Sequence, residues 1–102
     1  MNKKRLAQIE QQIETIKAQL QDFTIMRPGS LTQQFKNPKE KTGGFYQLSY
    51  THQMKSRTDY VRPQFLSELR AQITEYKKFR KLVDKWVALG IEYSKLSMKL
   101  KT

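Results

Sequence analysis

Apolar residues recur at alternating intervals of three and four in the first part of the chain, and Gln, Glu, Lys and Ala occupy most positions between them. This pattern is typical of a helix with one narrow apolar stripe, as in a coiled coil. The stripe consists of Leu6, Ile9, Ile13, Ile16, Leu20 and Phe23. Because an isolated helix of this length is only marginally stable, we predict that residues 1–26 form a coiled-coil leader helix that packs against another helix.

A polar stretch follows this helix. Pro28-Gly29 ends it, because proline disfavours helical geometry in the residue before it. Ser30 is spaced from Gln33 as in a capping box around a single helical turn, and the rest of the stretch contains further proline and glycine. We therefore predict that residues 27–44 are a basic loop. Its lysines are Lys36, Lys39 and Lys41.

The next segment, residues 45–62, is rich in Tyr, Thr, Phe and Val and alternates in polarity, which predicts a β-hairpin. A loop of three or five residues keeps similar side chains on one face, whereas an even loop mixes the two sets. With Thr51 opposite Lys55, one face is expected to pack on a helix and the other to meet solvent or a ligand. The packing face carries Tyr46, Leu48, Tyr50, Ser56, Thr58 and Tyr60. The open face carries Phe45, Gln47, Ser49, Thr51, Lys55, Arg57, Asp59 and Val61.

The C-terminal part of the chain predicts one long helix from about residue 63 to 100, since Pro63 suits the first helical position. Its apolar residues fall in two rows, roughly 100–140° apart around the helix. The first row is Leu66, Leu69, Ile73, Tyr76, Val83 and Val87, and the second is Phe79, Leu82, Trp86, Leu89, Tyr93, Leu96 and Leu100. We expect the first half to pack on the hairpin and the second half on the leader helix.

Together these elements predict an α+β fold and a single domain, in which residues 45–102 form the hairpin and the long basic helix. The two helices are expected to pair as an antiparallel or dimeric coiled coil. Apolar residues make up only 37% of the chain, and such a thin core favours a homodimer; folding back within one chain is the alternative. The predicted dimer interface is Leu6, Ile9, Ile13, Ile16 and Leu20 with Leu82, Trp86, Leu89, Tyr93 and Leu96.

Composition excludes several classes of protein and indicates a class of partner. The chain of 102 residues has no cysteine, which excludes disulfide scaffolds, zinc knuckles and thiol catalysis. No apolar run is long enough to span a membrane, and the N-terminus lacks the apolar segment of a signal peptide, so we expect a mature cytoplasmic protein. Twenty Lys and Arg oppose nine Asp and Glu, for a net charge of +11. This charge points to a polyanionic partner such as DNA, RNA or an acidic protein.

The sequence predicts no catalysis, cofactor or metal site. His52 is the only histidine and lies in the predicted hairpin loop, where an exposed turn residue accounts for it. The carboxylates are scattered among lysines, and neither a metal-binding motif nor a phosphate-binding glycine loop is present. We therefore expect a protein that is not an enzyme.

Two basic or polar surfaces are candidates for binding nucleic acid. The basic residues of the long helix share one sector, which fits phosphate contacts; a solvated lysine face is the alternative. This sector holds Arg70, Lys77, Lys78, Lys81, Lys85, Lys95 and Lys99. The open hairpin face fits base edges in a major groove, and an ordinary solvent face is the alternative. The predicted nucleic-acid-binding residues are Lys36, Lys39, Lys41, Lys55, Arg57, Arg70, Lys77, Lys78, Lys81 and Lys85.

Four motifs carry a resemblance. They are Arg27-Pro28-Gly29-Ser30-Leu31, Gly44-Phe45-Tyr46-Gln47-Leu48-Ser49-Tyr50-Thr51-His52, Arg57-Thr58-Asp59-Tyr60-Val61-Arg62 and Tyr76-Lys77-Lys78-Phe79-Arg80-Lys81-Leu82. Over roughly residues 27–90 the chain resembles a small uncharacterised prokaryotic domain family of unknown function, and the resemblance implies an association with mobile elements and DNA-acting proteins. This chain lacks the family's short cysteine cluster, and Gln53-Met54-Lys55 replaces a Lys-Gly-Lys turn.

The order of hairpin and helix is also similar to the arm-binding domains of some integrases, in which a three-stranded sheet enters the major groove; two strands are predicted here. We therefore expect a small basic nucleic-acid-binding protein that prefers double-stranded DNA, as an accessory subunit of a nucleoprotein complex or mobile-element system. The alternative is a protein-interaction module, an adaptor or inhibitor that docks on a larger protein with an acidic or nucleic-acid-binding surface.

Overall fold

The computed structural model describes residues 2–101 and confirms the predicted α+β class. Helix α1 (Asn2–Leu20) precedes three strands, β1 (Ser30–Asn37), β2 (Thr42–His52) and β3 (Lys55–Val61). A single 3-10 turn (Pro63–Phe65) leads into helix α2 (Leu66–Lys101). The chain divides into two compact units. The sheet unit is residues 24–77, and the helical unit consists of the residues before 24 and after 77.

In the helical unit, α1 contacts the C-terminal part of α2. Arg5 contacts Glu92 near the start of α1, and the rings of Phe23 and Phe79 meet edge to face beyond its end, at 6.0 Å between centroids. The two helices therefore run antiparallel. Their apolar contact joins Ile9, Ile13, Ile16 and Leu20 to Leu82, Trp86, Leu89, Tyr93 and Leu96.

The residues of this intrachain contact are almost the same as those of the predicted dimer interface. Nine of its ten residues lie in the apolar cluster of a single chain, all but Leu6. Ile9 and Ile16 are 0% and 2% exposed there, so neither has apolar surface left for a second copy. Within a single chain these apolar residues therefore cover one another.

In the sheet unit, the three strands form an antiparallel meander in the order β1-β2-β3. One face of the sheet packs on the first part of α2 around Leu48, Val61 and Ile73, which are all buried. Leu31, Tyr46, Tyr50, Leu66 and Leu69 complete this cluster. The prediction that Tyr46, Leu48 and Tyr50 form the packing face of the hairpin is confirmed.

The prediction of a loop over residues 27–44 is wrong for most of that stretch. Ser30–Asn37 is strand β1, and β2 begins already at Thr42. Leu31 and Phe35 are its two half-buried residues, and their spacing of four places them on one side of a helix or of a strand alike. Hydrogen bonding to β2 selects the strand over the helical turn. In this pairing, Leu31 is opposite Leu48 and Phe35 is opposite Gly44.

The predicted register of the hairpin is also wrong. His52 is paired with Lys55, so the loop contains only Gln53 and Met54. Both have positive φ, 52° and 65°, as in the type I′ turn, whose twist matches that of the flanking strands. The even loop moves every β3 side chain to the face opposite the predicted one.

Candidate nucleic-acid interface

The sheet has one face that α2 does not cover, which we call the polar face. Its members follow from the register, because alternate residues of a strand point to the same side and paired residues share a side. The polar face consists of Ser30, Thr32, Gln34 and Lys36 of β1, Phe45, Gln47, Ser49 and Thr51 of β2, and Ser56, Thr58 and Tyr60 of β3. Eight of these eleven residues are Ser, Thr or Gln, and none is acidic.

Side-chain contacts across and along the strands confirm this assignment. The hydroxyls of Thr51 and Ser56 lie 3.2 Å apart. The Gln34 side-chain amide donates to the Thr32 hydroxyl at 3.3 Å. All members are exposed except the half-buried Phe45 and Gln47. The polar face therefore presents hydroxyl and amide groups that both donate and accept hydrogen bonds.

One end of the polar face is aromatic. The rings of Phe45 and Tyr60 lie side by side with centroids 6.2 Å apart, and the Tyr60 residue is 65% exposed. Together with Lys36, Gly43 and Gly44 they line a shallow depression of about 430 Å³. Gly43 has φ of +66°, and a Cβ there would lie 3.0 Å from the Cβ of Lys36, so glycine allows the lysine stem to lie across the strand.

The turn between β1 and β2 places positive charge at this same end. Lys36, Lys39 and Lys41 are all exposed there. The backbone N–H of Glu40 donates to the side-chain oxygen of Asn37 at 3.4 Å, and Lys41 has a left-handed backbone with φ of 53°. The structure thus brings together the three lysines that the sequence assigned to a basic loop.

Lys55 and Arg57 are not part of the polar face. Lys55 is opposite His52 and Arg57 opposite Tyr50, so both share the side of the sheet on which Leu48 packs. The prediction that they lie in one plane with Gln47, Ser49 and Thr51 is wrong, because the two-residue turn reverses β3. The same reversal brings Ser56, Thr58 and Tyr60 into the polar face, which the sequence had assigned to the core side.

Arg27, which the sequence names only as part of a motif, has a structural role on the covered side of the sheet. Its guanidinium forms an ion pair with Asp59 and lies 4.8 Å from the ring centre of Tyr50. Its backbone N–H donates to the carbonyl of Gln72 in α2 at 3.1 Å. Arg27 therefore fastens the segment after α1 to both the sheet and α2.

The remaining predicted residues lie on α2 and are all exposed. Arg70 and Lys77 belong to the sheet unit, whereas Lys78, Lys81 and Lys85 belong to the helical unit. Among residues 2–101, no acidic side chain forms a salt bridge with any of the ten predicted nucleic-acid-binding residues. Their charges are thus not neutralised by ion pairs with the described part of the chain.

Among residues 2–101, three pKa values are displaced, and all belong to the contacts between α1 and α2. Two hydrogen bonds from Arg5, at 2.6 and 2.8 Å, hold the pKa of Glu92 below its usual range. The same hydrogen bonds raise the pKa of Arg5. The Tyr93 hydroxyl donates to Glu10 at 3.0 Å, which raises the pKa of Tyr93. These shifts reflect how the helices pair.

Within residues 2–101, no group of three or more His, Cys, Asp or Glu side chains is placed to hold a metal ion. None of the described helices is both long and apolar enough to cross a membrane. Comparisons of the chain with protein-family models, with curated proteins and with solved structures find no match.

Proposed function

We propose that this chain is a small non-enzymatic nucleic-acid-binding protein whose polar face contacts the base edges of double-stranded DNA. The observation that carries the proposal is a solvent-exposed sheet face without acidic residues, bordered by Lys36, Lys39 and Lys41. An ordinary surface of a basic protein would be expected to mix charges of both signs. This face instead consists mainly of hydroxyl and amide groups that form hydrogen bonds, with positive charge at one end.

The dimensions of the sheet suit a major groove. Adjacent strands lie about 4.8 Å apart, so the outer strands of this sheet are separated by about 10 Å. The major groove is about 12 Å wide, and its floor presents donors and acceptors in a pattern that differs for each base pair. Gln34 and Gln47 could each pair with an adenine edge, and the threonine methyl groups suit the methyl group of thymine.

The lysines supply the phosphate contacts in this proposal. Lys39 and Lys41 extend from the turn beside the polar face, where they would meet a phosphate backbone that borders the groove. Their attraction would be independent of sequence and would weaken with salt. The overall charge of +11 would speed association with any polyanion.

The third strand also strengthens the likeness in element order to integrase arm-binding domains, which supports the proposal by analogy of fold. In its finer form, the proposal places the protein in the prokaryotic cytosol or nucleoid, as an accessory subunit of a nucleoprotein complex or mobile-element system. The resemblance of its four motifs to the prokaryotic domain family supports this form.

The experiment compares two adjacent glutamines of β1. Gln34 lies on the polar face and Gln33 on the opposite face, and both are exposed. Gln34→Glu and Gln33→Glu therefore make the same change of charge on the same strand. Binding is measured by fluorescence anisotropy with labelled duplex DNA, single-stranded DNA and duplex RNA, at about 50 and 200 mM salt, where phosphate contacts become evident.

The wild type is expected to bind duplex DNA most tightly, with an affinity that falls steeply with salt. Gln34→Glu is expected to weaken binding by about 10-fold or more, because it places a carboxylate against base edges and phosphates, whereas Gln33→Glu should have a much smaller effect. Equal losses in the two variants would remove the polar face from the proposal. Negligible binding of all three nucleic acids by the wild type would overturn the function and favour an acidic protein as the partner.

A further inference from the structure

We propose that the chain forms a homodimer through the outer side of α2, in a symmetric antiparallel pair of helices. The surface concerned, which we call the outer stripe, lies wholly within the helical unit. Its members are Asp84, Val87, Ile91, Ser94, Met98 and Lys101, at intervals of three and four. This inference does not depend on nucleic-acid binding.

The first observation is that exposed apolar residues form a line along α2. Val87, Ile91 and Met98 are 56%, 53% and 62% exposed. Single exposed apolar residues are normal in proteins, but these three share a heptad spacing on one side of a helix. They lie about 150° around α2 from the residues that contact α1, at about 100° per residue, so α1 leaves them uncovered.

The second observation is the contrast with α1. The exposed positions of α1 are occupied by Asn, Lys, Gln, Glu, Thr and Ala, without a single large apolar side chain. If the two helices had equivalent solvent surfaces, both would be expected to resemble α1. The outer stripe of α2 instead has the pattern of a second packing seam, for which the described chain contains no partner helix.

The third observation identifies a second copy as the partner. When the outer stripe is laid antiparallel on itself, one register places Val87 opposite Met98 and Ile91 opposite Ser94. The same register places Asp84 opposite Lys101 at both ends. In an antiparallel pair the residue numbers of opposite residues add to a constant, and all three of these pairs have the same sum. Asp84 has no salt bridge with any other described residue. A two-fold pair would therefore have an apolar centre and opposite charges at its ends, as an isologous interface requires.

The length of the outer stripe sets the expected affinity of the dimer. From Asp84 to Lys101 the helix is about 26 Å long, at about 1.5 Å per residue. Stable dimers bury about 800 Å² per partner, and three large apolar side chains fall short of that area. We therefore expect association in the micromolar range or weaker.

The test uses sedimentation of the full chain over a concentration series without nucleic acid. Met98→Lys is expected to weaken dimerisation at least 10-fold, because it places a charge in the apolar centre. Met54→Lys is the matched control, since Met54 is 95% exposed at the hairpin tip, and it should dimerise as the wild type does. Far-ultraviolet circular dichroism verifies that each variant stays folded.

The register is tested by charge reversal. Asp84→Lys and Lys101→Asp should each weaken the dimer, since each creates pairs of like charges, and the double variant should recover most of the loss. A wild type that stays monomeric up to millimolar concentration would overturn the proposal, and so would equal dimerisation by Met98→Lys and Met54→Lys. Failure of the double variant to recover would overturn the antiparallel register.

Discussion

His52 and Lys55 are paired across a two-residue turn, and the two residues between them both have left-handed backbones. This pairing determines which side chains of β3 share a face with those of β2. A loop one residue longer would place Lys55 and Arg57 on the polar face and Tyr60 on the side of Leu48. The composition of the candidate interface therefore depends on one turn.

The turn itself should be improved by glycine. Met54 has φ of 65°, a conformation that costs a residue with a Cβ about 1–2 kcal/mol but costs glycine little. We expect Met54→Gly to raise the free energy of unfolding by about 1 kcal/mol in urea denaturation. Met54→Ala is the control, because it removes the same exposed side chain and keeps the Cβ. A stabilisation of equal size by alanine would show that the side chain, and not the backbone, was responsible.

Substitution of alanine for two glycines should change the free energy of unfolding in opposite directions. A Cβ at Gly29 would lie 2.6 Å from Leu48 Cδ1 and 2.9 Å from the backbone oxygen of Ser49, and φ there is +138°. Gly29→Ala is therefore expected to lower the free energy of unfolding by about 1–3 kcal/mol. Gly90 lies within α2, and a Cβ there would meet nothing within 4 Å. Gly90→Ala should therefore raise the free energy of unfolding by about 0.5–1 kcal/mol. Chemical denaturation of both variants tests the pair, and destabilisation by Gly90→Ala would contradict the assignment of open space there.

The ion pair between Arg5 and Glu92 should make stability depend on acidity. The pKa of Glu92 is lowered in the folded chain, first by the hydrogen bonds from Arg5 and also by the attraction of its charge, against an opposing effect of burial. A lowered carboxyl pKa contributes stability above the unfolded pKa, and this contribution is lost as the pH falls through the folded pKa. We expect Glu92→Gln to lower the melting temperature at pH 7 and to match the wild type more closely at low pH. A difference of the same size at neutral and at strongly acidic pH would contradict this role of the ion pair.

The lysines of α2 can be tested separately from the polar face. If Lys81 and Lys85 contact phosphates, the double change Lys81→Glu/Lys85→Glu should make the slope of log K against log salt less steep by about 2, at about 0.9 per contact. The control is Lys3→Glu/Lys4→Glu on α1, which alters the net charge equally at two exposed positions. Equal changes in slope would indicate that only the overall charge matters, so the helix would have no specific contacts.

The helices, and the sides on which they pack, follow from the sequence alone. The heptad spacing from Leu6 to Phe23 and the two apolar rows of α2 are local patterns with one period, so they predict the elements and most of their buried positions. Val87 and Leu100, the last residues of the two rows, are exceptions, since they are 56% and 44% exposed. The hairpin, and the buried position of Leu48 between Tyr46 and Tyr50, follow from the alternation of a single strand in the same way. Net charge does not depend on the fold, which is why +11 points to a polyanion from composition alone.

The third strand and the membership of the polar face depend instead on tertiary contacts. Leu31 and Phe35 are compatible with a helical turn or a strand, and pairing with β2 selects the strand. The side on which Tyr60 and Arg57 lie depends on whether the turn has two or three residues, and the twist of the paired strands selects two. Both choices are made by hydrogen bonds between segments, which the order of apolar and polar residues along one segment does not encode.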